Sequence, residues 1–117
     1  MQTPLRITFR HMASSAALEQ RLREHLAHLE RLHALITGCD VVITAPTERR
    51  QHGAPFDVRI NLTLPERQLH VHNGGANPAH VDPYVAARDS FDALERMMRR
   101  HLYALHRHRD HESIRHA

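Results

Sequence analysis

The stretch "FDVRINLTLPERQLHVH", residues 56–72, decides how the rest of the chain is read. Phe56, Val58, Ile60, Leu62 and Leu64 alternate with Asp57, Arg59, Asn61 and Thr63, the period-two pattern of a strand buried on one face and wet on the other. After Pro65, Glu66 and Arg67 the alternation resumes through Leu69 and Val71. A link that short makes the two runs a hairpin. Its apolar face needs a covering layer, and the flanking sequence supplies one.

Upstream, "CDVVITA" is short and β-branched and is ended by Pro46, which predicts a strand over Cys39–Ala45. The segment "PTERRQHGAP", residues 46–55, has the Pro, Gly and charge of a solvent loop. Before these, Leu18, Leu22, Leu26, Leu29, Leu32 and Ile36 recur at three- and four-residue spacing. With Ser14 or Ser15 as N-cap and Gly38 as C-cap, they predict one long amphipathic helix. "PLRITFRH" alternates Leu5, Ile7 and Phe9 with Arg6, Thr8 and Arg10, giving a first strand with its arginines outward. Downstream, "NGGANPAH", residues 73–80, reads as a flexible loop. Asp82 and Pro83 then open a second helix as N-cap and first residue. Its apolar stripe is Tyr84, Ala87, Phe91, Leu94, Met98, Leu102 and Leu105. From about His106 the stripe stops, and "RHRDHESIRHA" reads as a frayed helix end or a tail.

The order is β-α-β-β-β-α. Two helices with one apolar stripe each can cover one face of a four-stranded sheet, so the fold class is α+β, a two-layer domain with both helices on one face. The crossover from the first strand through the long helix has the length of a right-handed parallel connection. A chain of 117 residues suits a single core. The expected organisation is one domain over 1–108 and a His/Arg-rich C-terminal tail over 109–117.

Composition narrows the function classes. Cys39 is the only cysteine, which leaves no intramolecular disulfide or paired-cysteine zinc site and points to a reducing, cytoplasmic setting. At the head of a β-branched strand it reads as a small buried hydrophobe rather than a nucleophile. No signal-peptide core and no apolar run of membrane-spanning length occur. Neither standard phosphate-binding glycine spacing nor a nucleophile elbow is present, so no enzyme, cofactor or small-molecule substrate is expected. Histidine is abundant, thirteen in all. His70 with His72, His25 with His28, and His101, His106, His108 and His111 form groups that would attract zinc or nickel. No carboxylate spacing singles out a metal site among them, so they read as solvated or phosphate-facing.

The positive charge is a better lead. All sixteen Lys+Arg residues are arginine, the side chain whose planar fork fits a phosphate. Arg88, Arg96, Arg99, Arg100 and Arg107 lie off the apolar stripe of the second helix, where they can follow a phosphate path over about 28 Å. With two Tyr, three Phe and no Trp, mostly on apolar faces, backbone and shape recognition of structured RNA is expected over base-by-base reading.

The element order, together with "LAHLERLHALITGCDVVI", "FDVRINLTLPERQLHVH" and "DPYVAARDSFDALERMMRRH", resembles the bacterial ribosome hibernation-promoting factors, also called ribosome-associated inhibitors or sigma-54 modulation proteins. The resemblance spans about residues 4–108. It implies a non-enzymatic, cytoplasmic protein that binds the small ribosomal subunit between head and body, over the tRNA and mRNA path, and stops initiation in stationary or stressed cells. It also implies an rRNA-facing set of Arg96, Arg100 and His101 with His25 and His28; Arg88, Arg99 and Arg107 extend that basic face. The chain looks like a short form without a dimerising C-terminal domain, monomeric off the ribosome. His25 and His28 stand where lysines are common in the family, so binding is expected to strengthen as pH falls and phosphate favours their charged forms. The other readings are a general structured-RNA-binding module and a His-rich metal-binding protein.

Overall fold

The computed structural model describes residues 3–33, 35–46, 55–73 and 78–116, the last nine through their backbone alone. The elements run β1 (Leu5–Arg10), α1 (Ala16–Leu32), β2 (Gly38–Thr44), β3 (Asp57–Thr63), β4 (Gln68–Asn73), a short 3-10 turn (Pro78–Val81) and α2 (Pro83–His116). The strands lie in the order β1-β2-β3-β4. β1 pairs parallel to β2, and the other two pairings are antiparallel.

Alternation along each strand becomes rows across the sheet. Leu5, Cys39, Leu62 and Leu69 form one inner row, and Ile7, Val41, Ile60 and Val71 the next. Both helices lie on this side: Leu18, Leu22, Leu26 and Leu29 of α1 and Ala86, Ala87, Phe91, Leu94 and Met98 of α2 are buried in one cluster with the inner strand residues. The architecture is thus the expected α+β sandwich of one sheet and two helices. A third row, Phe9, Ile43 and Val58, ends on Asn73. That amide donates to Ser90 Oγ at 2.8 Å, and the buried Ser90 hydroxyl donates to Ala86 O at 2.8 Å, so the polar end of the row is satisfied.

Local chemistry sets the helix starts. Ser15 Oγ accepts from Leu18 N–H at 3.2 Å, which selects Ser15 over Ser14 as N-cap. Asp82 Oδ1 accepts from Tyr84 N–H at 2.8 Å beside Pro83, as the sequence predicts.

Two expectations need correction. The first helix ends at Leu32, short of Ile36: His33 turns extended, at φ −149° and ψ 108°. Thr37 N–H already bonds to Thr63 O at 2.9 Å, drawing the chain into the sheet. Ile36 is buried from the connection and Gly38 opens β2 instead of capping the helix. The second correction falls in residues 73–80, where Pro78–Val81 forms a 3-10 turn and His80 is 4% exposed. Residues 74–77 of that loop, and 47–54 of the expected solvent loop, lie outside the described residues. The expected boundary between 108 and 109 coincides with no break in α2.

Candidate nucleic-acid interface

The cations of α2 fall into two groups, divided by the carboxylates beside them. On one flank Glu95 is shared: Arg99 Nε donates to Oε2 at 2.9 Å, while His28 Nε2 on α1 meets Oε1 at 2.8 Å. The Arg99 hydrogen bond, followed by that from His28, holds the Glu95 carboxyl below its usual range. Arg88 leans on Asp89, Nη2 to Oδ1 at 3.2 Å. The other Asp89 oxygen meets the nearly buried His80 ring at 2.9 Å, and that bond first, then Arg88, lowers the Asp89 pKa. Arg88, Arg99 and His28 therefore sit beside stable negative charge.

Arg96 and Arg100 are exposed and have no hydrogen-bond or ion-pair partner among the described residues. Arg100 also lines a groove of about 280 Å³ with Arg67, Leu69, Met97, His101 and Ala104. The groove lies between α2 and the β3–β4 hairpin, with cations at its rim and an apolar floor. His101, one of its lining residues, is turned inward. The His101 side chain is 9% exposed and its Nε2 meets Glu66 Oε1 at 2.8 Å, while His33 Nε2 stands 3.6 Å from the same oxygen. The His101 hydrogen bond is the main cause of a lowered Glu66 pKa. A 2.8 Å N···O separation is a hydrogen bond, with no room for an ion between the atoms. No group of three or more His, Cys, Asp or Glu among the described residues is placed to hold a metal.

The two α1 histidines have different surroundings despite their three-residue spacing. His25 stacks on Phe91, with ring centroids 5.1 Å apart and planes at 18°. Burial first, then the Arg21 charge, lowers its pKa, so this ring resists the proton that phosphate contact would require. His28 is exposed and reaches Glu95. Arg107 lies 5.7 Å from the centroid of the exposed Tyr103 ring. The side chains of His108, Arg109 and His111 lie outside the described residues. Sequence reasoning missed Glu66, Arg67 and Glu95, because Glu66 meets His101, Arg67 the groove and Glu95 His28 only across elements. It also missed Tyr103, whose exposure and Arg107 neighbour lie on α2 itself.

The outer sheet face carries Arg6, Arg10, Arg59, His70 and His72, interleaved with Asp40 and Asp57. Arg6 Nε is 3.8 Å from Asp40, and His72 Nε2 is 2.9 Å from Asp57.

Residues 5–105 match the family described as Sigma 54 modulation protein / S30EA ribosomal protein. The chain belongs to this family. Among solved structures it is similar to the N-terminal domain of Protein Y from Thermus thermophilus, with TM-score 0.65 and 20% identity over 85% of this chain and 98% of that one. It is also similar to a ribosomal subunit interface protein from Coxiella burnetii, with TM-score 0.68 and 14% identity over 86% of this chain and 99% of the other. At these identities the likeness to the two structures is one of fold. No curated protein sequence matches. Membership in the sigma-54 modulation family gives the chain a general ribosome-associated, RNA-binding role without catalysis. No helix among the described residues is long and apolar enough to cross a membrane.

Proposed function

We propose that this protein is a cytoplasmic hibernation factor that binds small-subunit rRNA through the outer face of α2 and holds the subunit out of initiation. The observation that carries this reading is the pair Arg96 and Arg100, which are exposed and have no carboxylate partner among the described residues, on a helix otherwise locked to the sheet. Guanidinium forks left without internal partners are available to phosphate oxygens, and releasing counterions from RNA supplies the affinity. Arg99, Arg107, Arg88 and His28 extend the face along the helix. His101 and His25 lie beneath it and position it, His101 through Glu66 and His25 through Phe91. The family's ribosomal description and the likeness to a ribosomal subunit interface protein from Coxiella burnetii support the ribosome as the source of that RNA.

Sucrose-gradient sedimentation of native lysate tests the proposal. The protein should travel with the small subunit and the 70S peak and leave both as salt is raised. Sedimentation only at the top of the gradient under physiological salt would defeat it.

A further inference from the structure

Four of the five Phe and Tyr side chains serve the core: Phe91 is buried in it, and Phe9, Phe56 and Tyr84 are packed against it. Tyr103 is 65% exposed. It stands on the solvent side of α2, one helical turn from Arg99 and Arg100 on one side and from Arg107 on the other, with Arg96 a turn further back. From Arg96 to Arg107 the helix contains no Asp or Glu. A large ring in water amid cations adds nothing to the packing of the fold.

We propose that Tyr103 is a stacking platform for one unpaired nucleobase of RNA, with Arg96 and Arg100 holding the flanking phosphates. The inference deepens the proposed function and rests on it. Arg107 already lies 5.7 Å from the ring centroid, and at 65% exposure the ring still has surface for a base. Guanidinium, ring and base then form one stack, a common way of holding a splayed base. The choice of RNA over an acidic protein follows from the combination: fork-shaped cations suit phosphates and the aromatic plane suits a base, whereas an acidic peptide uses only the charge. The composition alone pointed to backbone and shape recognition. Tyr103 adds a contact that requires a base out of its helix.

The chain has no Trp and two Tyr, so Tyr84→Phe leaves Tyr103 as the only strong emitter. That protein is titrated with a ten-nucleotide uridine-rich single strand, a duplex RNA of equal length, and poly-glutamate. The single strand should quench Tyr103 emission, and the other two should not. Tyr103→Ala in the wild-type background should weaken single-strand binding by about tenfold, and Tyr103→Phe should hold it within about twofold. Thermal melts of both variants should match the wild type. Failure of the single strand to quench, equal quenching by duplex or poly-glutamate, or unchanged affinity in Tyr103→Ala would overturn the inference. Sedimentation with purified small subunits separates this claim from the one beneath it. If wild type and Tyr103→Ala bind subunits equally, the stacking role fails and the proposed function stands. If wild type ignores subunits while the single strand still quenches Tyr103, the ribosomal reading fails and the platform stands.

Discussion

The outer face of the sheet and the outer face of α2 both present arginines to water, yet their charge is organised differently. On the sheet, Asp40 stands in the row of Arg6 and Asp57 in the row of Arg10, next to the row of Arg59 and His72, and Arg6 and His72 each already lie beside one of these carboxylates. On α2 past Glu95 there is no acidic side chain as far as Arg107. The number of cations on a face is therefore a poor guide to where an anion binds. What matters is whether an internal carboxylate already holds them, because a phosphate must then compete with a partner tethered nearby.

Reversing the unpaired cations should break the comparison most severely. Arg96→Glu with Arg100→Glu leaves the buried Leu94 and Met98 untouched, so the melting temperature should hold. Small-subunit affinity should fall by about a hundredfold or more, and the salt dependence should flatten by roughly 0.7 to 0.9 in log K against log salt per lost contact. Co-sedimentation across a salt series measures both. If the double variant still binds at physiological salt, the interface lies elsewhere.

Glu95→Gln sharpens the contrast from the other flank. It removes the carboxylate shared by Arg99 and His28, and should raise small-subunit affinity by about threefold if those two side chains become available to phosphate. A loss of affinity would mean that Glu95 positions the cations instead of sequestering them. On the sheet, Arg59→Ser with His70→Ser should change affinity by no more than about twofold. An effect as large as the helix reversal would move the interface to the sheet.

The smallest effect concerns acid. Because the folded pKa of His25 is lowered, the fold favours the neutral ring. The stability from that preference is complete above the ordinary imidazole pKa near 6.5 and is lost as pH falls below it through the folded value. His25→Phe keeps an aromatic ring against Phe91 and removes the titration. Between pH 7.5 and 5.5 it should lose less melting temperature than wild type, by a difference on the order of a few degrees. Identical losses would show that His25 does not titrate in this window.

The strands were legible because burial on one face writes itself into alternate residues, and Phe56 to Leu64 leave no other reading. The end of α1 was not: Leu32 and Ile36 are four apart whether the helix continues or the chain turns and buries Ile36 from a connection. The basic face of α2 could be seen as a list of arginines, but the division of that list could not. It depends on Glu66, Glu95 and His28, which come from the hairpin turn, the helix itself and another helix. His25 and His28 show the same limit. Spacing put them on one side of α1, but only packing distinguishes a ring stacked on Phe91 from one beside Glu95.

The parallel pairing of β1 with β2 bears on how the molecule assembles. β1 is the first strand to be synthesised, yet its hydrogen bonds await the whole of α1 and then β2, whereas β3 and β4 need only a short turn to meet. Closing the longer loop costs more chain entropy before any contact repays it, so edge strand β1 should dock after the rate-limiting barrier. Ile7→Ala would then speed unfolding and leave the refolding rate nearly unchanged, while Ile60→Ala in the hairpin would slow refolding. Stopped-flow measurements on the two variants read that order directly, and a slowed refolding limb for Ile7→Ala would reverse it.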